Sequence, residues 1–391
     1  MTTRAYDLVL HGGRVPGPDG AWRRADVGVA GGVIAAVEDR IDPALAPRSA
    51  DLAGALALPG LVDLHVHAYP GATYWGIDVD EVSLRSGVTT VVDAGSAGPY
   101  TFAGLAPRLR AARVRALAFL NVAAGGLAAP SGELLSPAAL DVEAAVRVAR
   151  EHPDLVVGFK LRASPNTVGP NAAAALAAVR RAADETGLKV MVHVSEAPPD
   201  LATVLDHLRA GDVLTHCFTP YDNCVVGEDG RPRPEAVAAV ERGVVLDVGH
   251  GSGSFSFPAA EAWARSGLPP AVISTDLHRR SVLGPAFDMT TVMAKALAAG
   301  ETLERVLRAV TALPSGVLRG ATGRSQPPGV SGALDVGAPA DIAVLRLEDR
   351  PLRVWDSRGI ERVAERRFAC LLTVRSGEVA FASPEVRLVG A

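Results

Sequence analysis

Cysteine is scarce in this chain. Its 391 residues include three (Cys217, Cys224 and Cys370), an odd number with no CxxC spacing, which argues against a disulfide framework. Basic charge is not in surplus either. Lys+Arg 39 against Asp+Glu 43 leaves a net charge of -4, so neither a nucleic acid nor a polybasic membrane surface is expected as partner. No uninterrupted apolar run reaches the roughly 20 residues of a membrane span. The opening residues, MTTRAYDLVLHGG, lack the apolar stretch and small-residue cleavage site of a signal peptide. The expectation is a soluble, cytoplasmic protein, long enough for more than one domain. Lysine is the rarest charged residue. Only Lys160, Lys189 and Lys295 interrupt an otherwise arginine-based set of 39 cations, which makes each of them worth questioning.

What is present divides into three stretches. From Tyr6 to about Ile41 the chain reads as short strands, with Gly pairs and Pro-Gly as punctuation. From about Gly332 that style returns in ADIAVLRL and CLLTVRSGEVAF, which suggests one small β-sandwich domain built from both termini, 1–57 and 325–391. Between them, eight apolar runs alternate with Ala-rich helical segments such as PAALDVEAAVRVARE: LVDLHVH, VTTVVDA, VRALAFLNV, LVVGFKL, LKVMVHV, DVLTHCF, VVLDVGH and AVISTD. Near-continuous Val/Ile/Leu runs suit parallel strands covered on both faces, and eight strand-helix units over 58–324 predict an α/β fold of the (β/α)8 TIM-barrel type. A doubly wound sheet would carry a Gly-rich fingerprint after its first strand, and none is there.

The polar exceptions fall toward the C-terminal ends of these runs: His65 and His67 on the first, Lys160 on the fourth, His193 on the fifth, His216 on the sixth and Asp276 on the eighth. In a barrel that is the face on which active sites are built. His65 and His67 are two apart, a period that turns both imidazoles to the same side of a strand, so the pair can hold one ion. An HxH pair alone is weak support. Five ligand-type residues at successive strand ends are far stronger, because burying that many polar groups without compensation costs several kcal/mol. His11, His152 and His207 fit ordinary structural or solvated positions, and Cys217 beside His216 fits a small buried hydrophobe. Lys160 is the anomaly: in an arginine-rich chain a lysine inside LVVGFKL points to amine chemistry, as a nucleophile or as a CO2 acceptor that becomes an anionic ligand.

Taken together, PGLVDLHVH, Lys160, His193, His216 and Asp276 resemble the amidohydrolase superfamily of metal-dependent hydrolases over nearly the whole chain. GIDVDEVSLRSGVTTVVDAGSAGP, GDVLTHCF, DVGHGSGSFSF and VISTDLH resemble its deacetylase subgroup, beside dihydroorotases and D-aminoacylases. The resemblance implies two divalent metal ions, in the first place zinc. His65 and His67 with Asp276 would hold one ion, His193 and His216 the other, and a carbamate formed from CO2 on Lys160 would bridge them. It further implies a metal-bridging hydroxide as nucleophile and Asp276 as the catalytic acid/base. Dihydroorotases follow HxH closely with an arginine for the substrate carboxylate, and HVHAYPG has none. Arg162, two residues beyond Lys160 and thus on the same side of the strand, is the substitute candidate, with a rim salt bridge as its bland alternative. His250, His278 and Tyr221 are further substrate-binding candidates.

The leading expectation is a hydrolase of an acyl ester or amide that deacetylates a small carboxylate-bearing molecule. A cyclic amidohydrolase of dihydroorotase or hydantoinase type is second, a lactonase third, and a non-catalytic scaffold last. The expected partner is a small-molecule substrate, with homo-oligomerisation left open.

Overall fold

The computed structural model describes residues 5–17, 21–320 and 329–390. Seven parallel strands form one curled sheet in chain order: Leu61–Val66, Val88–Ala94, Arg115–Asn121, Val156–Ala163, Lys189–Val194, Val213–Thr215 and Val245–Asp247. The eighth expected strand is present as an extended segment without a ladder. It makes one parallel bridge to each edge of the sheet, Asp247 with Val272 and Val66 with Leu277. Hydrogen bonds from Val248 N to Val272 O and from His67 N to Leu277 O, both 2.9 Å, complete the ring. A clamp reinforces this seam: Asp63 of the first strand accepts from Thr275 N (3.0 Å) and Thr275 Oγ1 (2.5 Å). The ladder is poor here because the run is short and polar at Ser274, Thr275 and Asp276.

The helices between strands follow from local signals. Asp141 accepts from Ala144 N and opens Val142–Glu151, while the stretch Ala172–Thr186 ends at Gly187, which takes the left-handed conformation at φ 72° that glycine adopts at no steric cost. One buried cluster unites Val92, Phe119, Met191, Val213 and Val272, residues from five different staves of the barrel.

The two chain ends do build one sheet. Its order runs Glu378–Ala382, Arg367–Arg375, Ile342–Glu348, Leu56–Pro59, Leu8–Pro16, Trp22–Ala30, Val33–Glu38, with Arg48–Asp51 and Leu388–Val389 alongside. Leu56–Pro59 sits between an N-terminal and a C-terminal strand and belongs to this sheet, so the barrel itself starts at Leu61. A separate hairpin, Leu352–Trp355 with Glu361–Ala364, lies over the barrel and touches its loops. Among the described residues no helix is long and apolar enough to cross a membrane.

Candidate active site

His65, His67, Lys160, His193, His216 and Asp276 all line one cavity of about 380 Å³. The sequence placed them at strand ends. The structure refines two of them: His216 lies one residue past its strand and Asp276 between the two bridging residues Val272 and Leu277, with φ of 67° and 48°. Left-handed backbone is uncommon for non-glycine residues and costs of order 1–3 kcal/mol where it occurs, so these two turns are held by their surroundings. Glycines make room for them. A Cβ on Gly249 would come 2.4 Å from Thr215 Oγ1 and 2.8 Å from His216 Nδ1, and one on Gly251 would come 2.4 Å from Asp276 Oδ2.

Hydrogen bonds fix the tautomers. Thr215 Oγ1 gives its single proton to Asp247 Oδ2 at 2.7 Å, so Thr215 accepts from His65 Nδ1 at 2.9 Å. His65 therefore carries its proton on Nδ1 and presents a bare Nε2. His216 Nδ1 lies 2.6 Å from the carbonyl oxygen of Gly249, which can only accept, and the same conclusion follows. His67 Nδ1 is paired with Ser96 Oγ at 2.9 Å. Such partners on the far nitrogen are the usual supports of metal-binding imidazoles.

Burial, first of all, keeps these rings neutral: His67 and His216 fall to about 4, and His65 and His193 fall well below the ordinary 6.5. Neutral imidazole is the form that binds a cation. The Nε2 atoms of His65 and His67 converge on Asp276, whose Oδ1 lies 3.2 Å from His67 Nε2 and 3.5 Å from His65 Nε2. That Oδ1 is buried and, among the described residues, receives no hydrogen bond. Acceptors buried face to face are unfavourable unless a cation or a proton lies between them. His65, His216 and Asp276 offer ligand atoms within 4.8 Å of one another, and His193 joins through His216, their ring centroids 4.3 Å apart. The donor set fits divalent metal. Lys160, 1% exposed, sits at the centre with Nζ 3.5 Å from His65 Nε2, and burial brings its amine down to about 7.

The substrate-facing candidates divide. His278 lines the cavity; its Nδ1 accepts from Arg280 N (3.2 Å) and Ser281 N (3.4 Å), so its proton is on Nε2 as a donor. Tyr221 also lines the cavity, with the Arg358 guanidinium of the C-terminal hairpin 4.8 Å over its ring. Arg162 lines the cavity as well and is engaged at one nitrogen, Nη1, by Glu133 Oε1 at 3.2 Å. His250 does not line the cavity. Its buried ring stacks on Phe255 at 4.7 Å, and its Nε2 meets Lys295 Nζ at 2.8 Å. The expected substrate contact of His250 thus gives way to a supporting position. Sequence reasoning missed Thr215, Asp247 and Ser96, which orient the histidines, and Trp75 and Glu196, which line the cavity. Short polar residues inside apolar runs were the signal available for the first group.

A closed parallel barrel with neutral imidazoles and a carboxylate converging at the C-terminal ends of its strands has the place and the donor set at which barrel enzymes hold catalytic metal. The chain belongs to the amidohydrolase family, which residues 56–379 match. It is similar to a deacetylase of Agrobacterium fabrum, 37% identical over 87% of this chain and 83% of the relative. A deacetylase of Brucella anthropi is 35% identical over 87% and 84%. Among solved structures, one described as an adenine deaminase superposes with a TM-score of 0.89 at 28% identity, covering 97% of this chain and all of that one. One described as a dihydroorotase gives 0.86 at 34% identity, covering 96% and 98%.

Proposed function

We propose that this hydrolase removes an acyl group, acetyl in the first place, from an ester or amide of a small carboxylate-bearing molecule. The observation that carries the reading is the buried Asp276 Oδ1, which receives no hydrogen bond among the described residues and faces Nε2 of both His65 and His67 in the cavity. That arrangement suits a site that holds divalent metal beside a proton carrier. The deacetylase relatives support acyl over cyclic substrates, as does the lack of an arginine after HVH.

In this reading His65 and His67 with Asp276 would hold one ion and His193 and His216 a second, with zinc the first choice, and Lys160 as its carbamate would add anionic oxygens to the donor set. Ions held there supply Lewis acidity that makes water nucleophilic near neutral pH and polarises an acyl carbonyl. The chain's own part is proton management and positioning. Asp276 takes a proton at its carboxylate and returns it to the leaving nitrogen or oxygen. His278 Nε2–H and Tyr221 orient the substrate, and Arg162 faces its carboxylate.

Metal analysis together with a substrate screen tests the reading. The expected result is near-stoichiometric zinc or manganese and turnover of N-acetyl or O-acetyl acids. Turnover of cyclic ureides, or ammonia release from adenine, with acyl substrates untouched, overturns it; folded protein that binds no metal overturns it at the root.

Arg162 gives a narrower test. Arg162→Met should raise KM for acidic substrates about tenfold more than for their neutral amides, the scale of one charge-assisted hydrogen bond. It also strands Glu133, whose side chain is 5% exposed, so the comparison is best made with Arg162→Met/Glu133→Gln, which leaves no unpaired buried charge. Equal effects on both substrate types leave Arg162 a partner of Glu133 only.

A further inference from the structure

Lys295 is one of three lysines in the chain and is 1% exposed, on the helix Met289–Ala298 outside the metal cluster. Its three donors reach three different segments: Pro285 O at 2.7 Å, Trp355 O of the C-terminal hairpin at 2.6 Å, and His250 Nε2 at 2.8 Å. Gly251 O lies 2.8 Å from His250 Nδ1 and, as a carbonyl, can only accept, so the His250 proton is on Nδ1 and its Nε2 accepts from Lys295.

This relay sets the orientation of one peptide unit. The Gly251–Ser252 bond is trans, so with its carbonyl turned to His250 its N–H points the opposite way. Ser252 lines the cavity, and among the described residues no acceptor takes up its N–H. The same loop is held by Gly251 N to Thr275 O (2.9 Å) and His250 N to Ser274 O (3.2 Å). From the hairpin side, Phe255 N donates to Ser357 Oγ and Ser357 N to Phe255 O, both 3.0 Å.

We propose that the Ser252 N–H is a donor to an anionic oxygen of the substrate, and that Lys295, acting through His250, is the positioning residue that aims it. The substrate class rests on the acyl-hydrolase reading above; the aiming of the loop does not. A backbone donor preset in this way costs no reorganisation when the anion arrives.

The test uses the full-length, metal-loaded protein with N-acetyl amino acids and their carboxamides as probes. His250→Leu removes the donor to Gly251 O, whereas His250→Asn can supply one from its amide; Lys295→Met removes the junction. The Leu and Met variants should show KM for the acids raised about tenfold, with kcat changed less than about threefold, as expected for loss of uniform binding. Metal content and the KM of the carboxamides should hold. His250→Asn should stay within about threefold of the wild-type KM. An unaltered KM in His250→Leu, or equal impairment in Leu and Asn, overturns the donor. Hydrogen exchange at the His250 and Gly251 amides is the second readout, and His250→Leu provides it even if Lys295→Met fails to fold. Faster exchange there, with the first barrel strand unchanged, is expected, and unchanged exchange overturns the positioning role. If the wild type hydrolyses no acyl compound, the proposed function fails while the exchange measurement still decides on Lys295 and His250.

Discussion

Lys160→Ala is expected to release the metal and abolish turnover, with partial recovery on adding bicarbonate or a short carboxylic acid. Electrostatics is the reason. A protonated Lys160 would stand beside divalent charge, and at a separation of about 4 Å each unit repels it by about 4 kcal/mol even at an effective dielectric near 20. A neutral amine avoids that cost but offers one donor atom. Carbamylation supplies a negative charge and two oxygens on a long arm, and an amine brought down to about 7 by burial has the free lone pair that attack on CO2 requires. The loss in metal affinity should exceed the roughly 10–100-fold that follows removal of a residue merely supporting a ligand. Protein stripped of metal and CO2 at low pH, then given zinc alone, should regain little activity until bicarbonate is supplied. Rapid, full recovery under CO2 exclusion contradicts the carbamate.

For Asp276→Asn the expected loss is about 10²–10⁴-fold in kcat, the range for general acid–base catalysis, with a substantial part of the metal retained. Asparagine keeps the shape and an oxygen to offer, and it tolerates the left-handed backbone that Asp276 occupies at φ 48°. It cannot take up a proton at that oxygen. Because the lost interaction belongs to the transition state, kcat and kcat/KM should fall together. Metal and rate declining in strict proportion would reduce Asp276 to a ligand.

The metal-type residues were legible because their chemistry is at odds with their surroundings: imidazoles and an ammonium among Val and Leu have to be explained. The barrel was legible for the complementary reason, the regular return of apolar runs. What the sequence concealed was pairing over distance. Nothing local connects Arg162 with Glu133, or His250 with Lys295 forty-five positions on, so one residue looked freer, and the other nearer the substrate, than the fold allows. Asp247 and Thr215 were hidden inside apolar runs, although their hydrogen bonds decide which nitrogen of His65 is available. The eighth strand illustrates the limits of pattern: AVISTD occupies the expected place, but the segment makes one bridge at Val272 and one at Leu277, just beyond the run, instead of a ladder.

That seam has a consequence for how the enzyme comes apart. Lys160 and His193 ride on neighbouring strands of one continuous ladder, and His216 follows directly on the next. Asp276 is carried by the stretch that closes the ring through two bridges and the Asp63 clamp. Local opening is easiest where backbone pairing is thinnest. Asp276 is thus mounted on the door and Lys160, His193 and His216 on the wall: a slight gape at the closure separates Asp276 from His67 while the rest of the barrel is still intact.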